Sequence, residues 1–272
     1  MEVRLLGPLG AEVRGVSIVP SAAKPRQVLA LLAVYANQVL PVSTIMEEIW
    51  SERPPRSALT TLQTYILQLR RRLGHALGPD SPYEPKDVLA TRHGGYLLEL
   101  QPGAVDIQEF DRLVLAGQHA LDSADDEMAS ALYTEALALH RGPALVDVRN
   151  GPVLEIEATR LDQSRLLAVE RRNEADLRLG RHARMLSELT QLTVRYPLHE
   201  AFHAQFMLAL CQAGQRWRAL ETYQRLRRRL IDELGLEPSP RVRRLHQAVL
   251  NADPTLELYA GHRGPVLDLF VA

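Results

Sequence analysis

At 272 residues the chain is long enough for two domains or for one large one. Hydrophobic residues make up 46% and charged residues 24%, the balance of an ordinary globular protein rather than a disordered or fibrous one. The formal net charge of −1 excludes a general polycation, so any nucleic-acid binding must come from a local basic patch. Cys211 is the sole cysteine, which rules out an intramolecular disulfide and suits a reducing compartment. The opening MEVRLLGPLG has neither the charged start nor the apolar core of a secretion signal. No run approaches bilayer-spanning length. The expectation is a cytoplasmic protein without a membrane partner.

Residues 3–19 alternate in polarity, with Gly7, Gly10 and Gly15 at turns, which predicts a small antiparallel sheet. From Lys24 to about Asn37 the chain is strongly apolar, and Pro25 suits the first turn of a helix. Pro41 breaks that run. Ser43 or Thr44 is expected to cap a second helix through Ile45, Met46, Ile49 and Trp50, and Thr44 with Glu47 fits a capping box. Pro54 and Pro55 end it.

The stretch that follows, 53–74 (RPPRSALTTLQTYILQLRRRLG), is the most informative. Leu59, Leu62, Ile66, Leu69 and Leu73 recur at steps of three and four and form one apolar stripe of a helix. The opposite face carries Thr60, Thr61, Thr64, Gln68, Arg71 and Arg72, with Tyr65 on the flank. Between Arg53 and Gly78 stand Arg53, Arg56, Arg70, Arg71 and Arg72, with no Asp or Glu. A merely solvated helix face is one reading. A face of hydroxyls, an amide and uncompensated cations favours the other, DNA: Gln pairs with adenine, Arg with guanine, and Thr with phosphate or a thymine methyl. Next, GPDSPYEPKD is expected to be a loop, and VLATRHGGYLLEL a hairpin turning at His93-Gly94-Gly95. Sheet, three helices and hairpin is the order of a winged helix-turn-helix, whose third helix enters the major groove.

In fixed order, GPL, KPRQVLALLAVYANQVLPVSTIMEEIW, RPPRSALTTLQTYILQLRRRLG and RHGGYLLEL resemble the N-terminal domain of the Streptomyces antibiotic regulatory protein family. These are OmpR-type winged-helix activators of secondary-metabolite gene clusters, the daunorubicin-pathway activators among them. The likeness spans essentially the whole chain. It implies that Thr60, Thr61, Thr64, Tyr65 and Gln68 face DNA, with Arg70, Arg71 and Arg72 beside them. It places Arg92 on the wing arginine of the minor groove. Trp50 matches a tryptophan that packs in the core and can touch phosphate. Gln68 and Leu67 stand where OmpR-type helices often carry arginine, so base preferences of other members do not transfer. The resemblance further implies a homodimer on direct repeats of promoter DNA. It also implies a polymerase contact, to the sigma factor, through the loop holding Glu52, Arg53 and Arg56.

After Pro102-Gly103 the pattern becomes helical to about Asp253, which sets expected domains at 1–102 and 103–253 with a tail at 254–272. Gly180 and Gly214 are one tetratricopeptide period apart, and at that offset Met185 meets Ala219, Leu186 meets Leu220, and Leu189 meets Tyr223. Helices at 106–121 and 125–139 suggest a third pair, separated by an insert around 141–164. The expected fold is therefore an α+β winged helix followed by an all-α tetratricopeptide-like domain. The second part resembles the bacterial transcriptional activator domain of the same family. Arg225, Arg227, Arg228 and Arg229 form a basic face read as solvated, or else as a DNA or polymerase contact.

One motif argues for chemistry. His199-Glu200-Ala201-Phe202-His203 is a literal HExxH, with Glu221 downstream as a possible third zinc ligand. His203 falls where repeat helices pack, and no sheet frames the motif, so zinc hydrolysis is set aside. No phosphate-binding GxxxxGK[ST] loop is present, and Ser, His and Asp residues form no recognisable nucleophile elbow. We expect no catalytic residues, no metal and no cofactor. A protein-binding adaptor or a repressor remains the alternative to an activator.

Overall fold

The computed structural model describes residues 1–51 and 53–256. Glu52 and the tail from residue 257 lie outside the described residues, and with them the reading of Glu52 as a polymerase contact and most of the expected 254–272 tail. The chain packs as two compact units, residues 1–113 with 135–166, and 114–134 with 167 onward.

In the first unit, β1 (Glu2–Arg4), β2 (Gly10–Val13) and β3 (Val16–Ser17) form the expected antiparallel sheet, Val3 opposite Ala11 and Val13 opposite Val16. Helix α1 (Ala23–Val34) buries nearly its whole length, Val28 through Ala33. A short strand, β4 (Leu40–Pro41), then precedes α2 (Val42–Trp50) and α3 (Ala58–Leu77). A one-turn helix α4 (Pro85–Val88) leads into the hairpin of β5 (Leu89–Arg92) and β6 (Gly95–Leu98). The second sheet has the order β4-β6-β5.

Three local expectations need correction. Helix α2 starts at Val42, so Ser43 and Thr44 lie inside it and cap nothing; its N-cap is Pro41. The tertiary reason is the strand before it: Leu40 and Pro41 pair with Tyr96 and Gly95, and Val42 N donates to Gly94 O at 3.0 Å. Gly95 is required there, because a Cβ would lie 2.3 Å from Leu40 O. Leu59, expected in the buried stripe, is 49% exposed. It sits in the first turn of α3, and the buried stripe is Ala58, Leu62, Ile66, Leu69, Leu73, Ala76 and Leu77. The expected loop before the hairpin contains α4, nucleated by a capping box between Glu84 and Asp87.

The winged-helix elements are joined to later chain by three carboxylates, of which Glu48 is the most deeply buried. Glu48 on α2 is 1% exposed. Its carboxylate accepts from Gly151 N (2.6 Å), Val153 N (2.9 Å) and Leu154 N (3.0 Å), capping α7 (Pro152–Arg178), and from Gln27 Nε2 (2.7 Å) on α1. Gly151 permits this approach, since a Cβ would lie 2.0 Å from Glu48 O. Asp106, first residue of α5 (Asp106–Asp122), accepts from Leu5 N and Leu6 N, and burial pushes its carboxyl pKa up. Asp147 accepts from Leu9 N at 2.7 Å and pairs with Arg26 at 2.9 Å. Much of the expected insert is helix, because α7 already begins at Pro152.

The second unit is helical throughout its described residues. Besides parts of α5, α6 (Asp126–Ala138) and α7, it contains α8 (His182–Arg195), α9 (Glu200–Gln212), α10 (Arg216–Leu234) and α11 (Pro240–Asn251). The repeat read in the sequence is matched by burial. Met185 and Ala219 are buried, as are Leu189 and Tyr223, while Leu186 and Leu220 pack partly against the same core. Gly180 and Gly214 take left-handed φ values of 69° and 71° at equivalent turns. Two helix pairs thus bury faces that neither could bury alone.

Two predictions follow from these buried polar groups. Glu48→Ala leaves three backbone N–H groups, that of Leu154 buried and those of Gly151 and Val153 part-buried, without an acceptor and should destabilise the chain by about 3–5 kcal/mol in urea unfolding. Burial pushes the pKa of His140, which meets Phe110 edge-on at 4.9 Å, and of His203 down to about 4. Their folded pKa values lie below the ordinary 6.5, so their contribution is intact above pH 6.5 and is lost as pH falls toward 4. The double replacement His140→Gln, His203→Gln should flatten the fall in melting temperature across that window.

A candidate nucleic-acid interface

The face of α3 turned away from the core exposes Thr60, Gln63, Thr64, Leu67, Gln68, Arg71, Arg72 and His75, and it carries no acidic side chain. The sequence reading overlooks Gln63 and His75. Steps of three and four taken outward from Thr60, through 64, 68 and 71, reach His75, and Gln63 lies one turn before Leu67. The same spacing that finds the buried stripe locates both.

The side chains expected at this face are not equivalent. The Thr61 hydroxyl donates to Ser57 O at 2.9 Å and the Thr64 hydroxyl to Thr60 O at 3.0 Å. Their protons are spent on the helix, which leaves lone pairs and methyl groups to face outward. Arg70 turns the other way. Its guanidinium donates to Leu89 O (2.9 and 2.7 Å) and to Thr91 Oγ1 (2.8 Å), and so ties β5 of the hairpin to α3. Arg71 is exposed, whereas Arg72 reaches Val19 O at 3.4 Å. Tyr65 is half-buried and stacks with Trp50 at 6.5 Å, and Lys24 Nζ lies 5.1 Å from the Trp50 ring. Trp50 therefore packs between a helix flank and a cation.

At the hairpin, Arg92 pairs loosely with Glu99 at 3.6 Å, both half-exposed, an arrangement worth at most about 1 kcal/mol. His93 and Gly94 form the exposed tip, where Gly94 takes φ of 75°. Arg53 and Arg56 are exposed in the loop between α2 and α3.

The HExxH residues are placed for packing. His199 precedes α9 as its N-cap, and its ring stacks on Phe202 at 4.0 Å. The Glu200 carboxylate accepts from Ser239 N at 2.8 Å at the start of α11. His203 is buried with Nε2 donating to Pro197 O at 3.1 Å. Among the described residues no group of three or more His, Cys, Asp or Glu could hold a metal ion. Burial pushes the Cys211 thiol up to about 11, far from a reactive thiolate. On α10, Arg225, Arg227 and Arg229 pair with Glu221, Glu237 and Glu233, as a solvated face would.

A sheet, three helices and a braced hairpin, with an acid-free outer face on the third helix, followed along the chain by a helical-repeat unit, define a winged-helix transcriptional regulator. Residues 18–98 match the family described as "Transcriptional regulatory protein, C terminal", and residues 105–250 the "Bacterial transcriptional activator domain". Regulatory protein DnrI of Streptomyces peucetius is 49% identical over 94% of this chain and 94% of its own length. Transcriptional regulator RedD of Streptomyces coelicolor is 34% identical over 95% of this chain and 73% of its own. The solved structure of Mycobacterium tuberculosis EmbR in complex with a low affinity phosphopeptide matches with a TM-score of 0.86 at 32% identity, covering 95% of this chain and 68% of that one. The chain belongs to the Streptomyces antibiotic regulatory protein family of transcriptional activators. The family is one of DNA-binding regulators rather than enzymes, and no described helix is long and apolar enough to cross a membrane.

The bracing role of Arg70 separates it from its neighbours. Arg70→Ala should destabilise the first unit by about 1–3 kcal/mol, whereas Arg71→Ala should stay within about 0.5 kcal/mol. Thermal denaturation of both variants reads the difference directly.

Proposed function

We propose that this protein activates a secondary-metabolite biosynthetic gene cluster by reading promoter DNA through the outer face of α3. The acid-free array of Thr60, Gln63, Thr64, Gln68 and Arg71 supports this reading most, because amide, methyl and guanidinium groups are what base edges and phosphates accept. Gln68 reads a base edge, Arg71 and Arg72 neutralise phosphates, and Arg92 leaves its weak pair with Glu99 for the minor groove. Arg70 sets the position of the hairpin from within. Thr61 and Thr64 present methyl groups, Tyr65 stays on the flank with Trp50, and Trp50 contributes through packing.

Two copies bind direct repeats side by side, spaced by a whole helical turn of roughly 10–10.5 base pairs. As functional divisions, 1–102 reads DNA and 103–253 engages the transcription machinery. The loop with Glu52, Arg53 and Arg56 touches the sigma factor of RNA polymerase. The setting is cytoplasmic, on the nucleoid.

Footprinting of the purified protein on its cluster's promoters, at several salt concentrations, tests the reading. Protection of a direct repeat beside the −35 region is expected, with affinity falling steeply in salt. Binding no tighter than to random DNA sinks it. Gln68→Ala should cost about 1–3 kcal/mol at one base position and relax preference there. Arg71→Ala should weaken all sequences alike and reduce the salt slope by about one.

A further inference from the structure

Beneath the hairpin, the first unit holds a cavity of about 440 Å³, within the range that drug-sized ligands occupy. Its inner wall is aliphatic: Val13 of β2, Leu77 at the end of α3, Ala90 of β5 and Leu100 after β6 are all core residues, and Val88 of α4 joins them. The mouth is different in kind. Tyr83 stands there 59% exposed, with Lys86, Asp87, Arg92 and Glu99 around it. Asp87 is already committed, because its carboxylate accepts from Glu84 N at 2.8 Å. Glu99 is shared loosely with Arg92 at 3.6 Å. Lys86 forms no ion pair among the described residues. The rim therefore offers one ammonium and one easily diverted guanidinium above an apolar floor.

We propose that this cavity is an effector site for an amphipathic small molecule with a flat apolar body and one acidic group. The body fills the aliphatic floor beside Tyr83, and the acidic group sits between Lys86 and Arg92. Breaking the Arg92–Glu99 pair costs little, because both groups are half-exposed. The consequence for regulation rests on the reading of Arg92 as a DNA contact: a guanidinium held at the cavity mouth is withdrawn from the minor groove. Ligand and DNA then compete for one side chain, and by linkage each weakens the other.

Anilinonaphthalene sulfonate has this chemistry and serves as the probe, with the full chain and no DNA in the first titration. A saturable fluorescence rise at one dye per chain is expected. Lys86→Glu, an exposed change that leaves the fold intact, should weaken it by about three- to tenfold. Val88→Trp should abolish it by filling the floor while thermal denaturation stays cooperative. A dye signal unchanged in both variants overturns the site. In a second titration, saturating dye should weaken promoter binding by the wild-type chain by about three- to tenfold, and unchanged affinity overturns the coupling. Failure of the promoter footprint would remove the DNA reading without touching the first titration. Failure of the first titration beside an intact footprint removes this inference alone.

Discussion

The carboxylate of Glu48 is the interaction on which the first unit depends. It is a charged group with almost no access to water, a costly arrangement unless every lone pair is used. Four N–H donors meet it: three from the backbone at 151–154 and one from Gln27. The negative charge also lies at the N-terminus of α7, where the aligned peptide dipoles favour it. One side chain therefore fixes α1, α2 and the start of α7 in a single arrangement. Helix α2 also ends in Trp50, which stacks on Tyr65 of α3, so the helix held by Glu48 is the one that contacts the flank of α3.

Carboxylates repeat this device elsewhere in the unit. Asp106 holds the end of β1 through Leu5 and Leu6, and Asp147 holds Leu9 and Arg26. Each is an acid that accepts from backbone N–H groups far away in sequence and also pairs with an arginine. The acidic residues thereby serve two ends: these three join segments, and the absence of acids from α3 leaves its outer face to cations and amides. A net charge near zero conceals this segregation.

The arginines divide in the same way. Arg70 and Arg71 are adjacent in sequence and point to opposite tasks, one bracing the hairpin and the other facing solvent. A helix turns about 100° per residue, so a run of three arginines cannot share one environment. Reading RRR as one basic patch hides the contact by which Arg70 braces the hairpin.

By itself the sequence determined the winged helix, the helical repeat, the stripe from Leu62 to Leu73 and the polar face opposite. These are written in local periodicity, which needs only the geometry of one helix or one turn. The hairpin at His93-Gly94 was legible for the same reason. Tertiary structure alone decided what depended on distant partners. Helix α2 begins at Val42 because β4 pairs with β6, not because Thr44 can cap. Leu59 is exposed because Ala58, not Leu59, meets the core in the first turn of α3. Glu48 and Asp106 read as ordinary polar residues, and their placement is set by backbone donors more than a hundred residues away, while Gln27 is drawn in as a donor to Glu48. HExxH shows the converse, since a local motif that reads as zinc chemistry is resolved into a cap, a stacked ring and a packed imidazole by the helices around it.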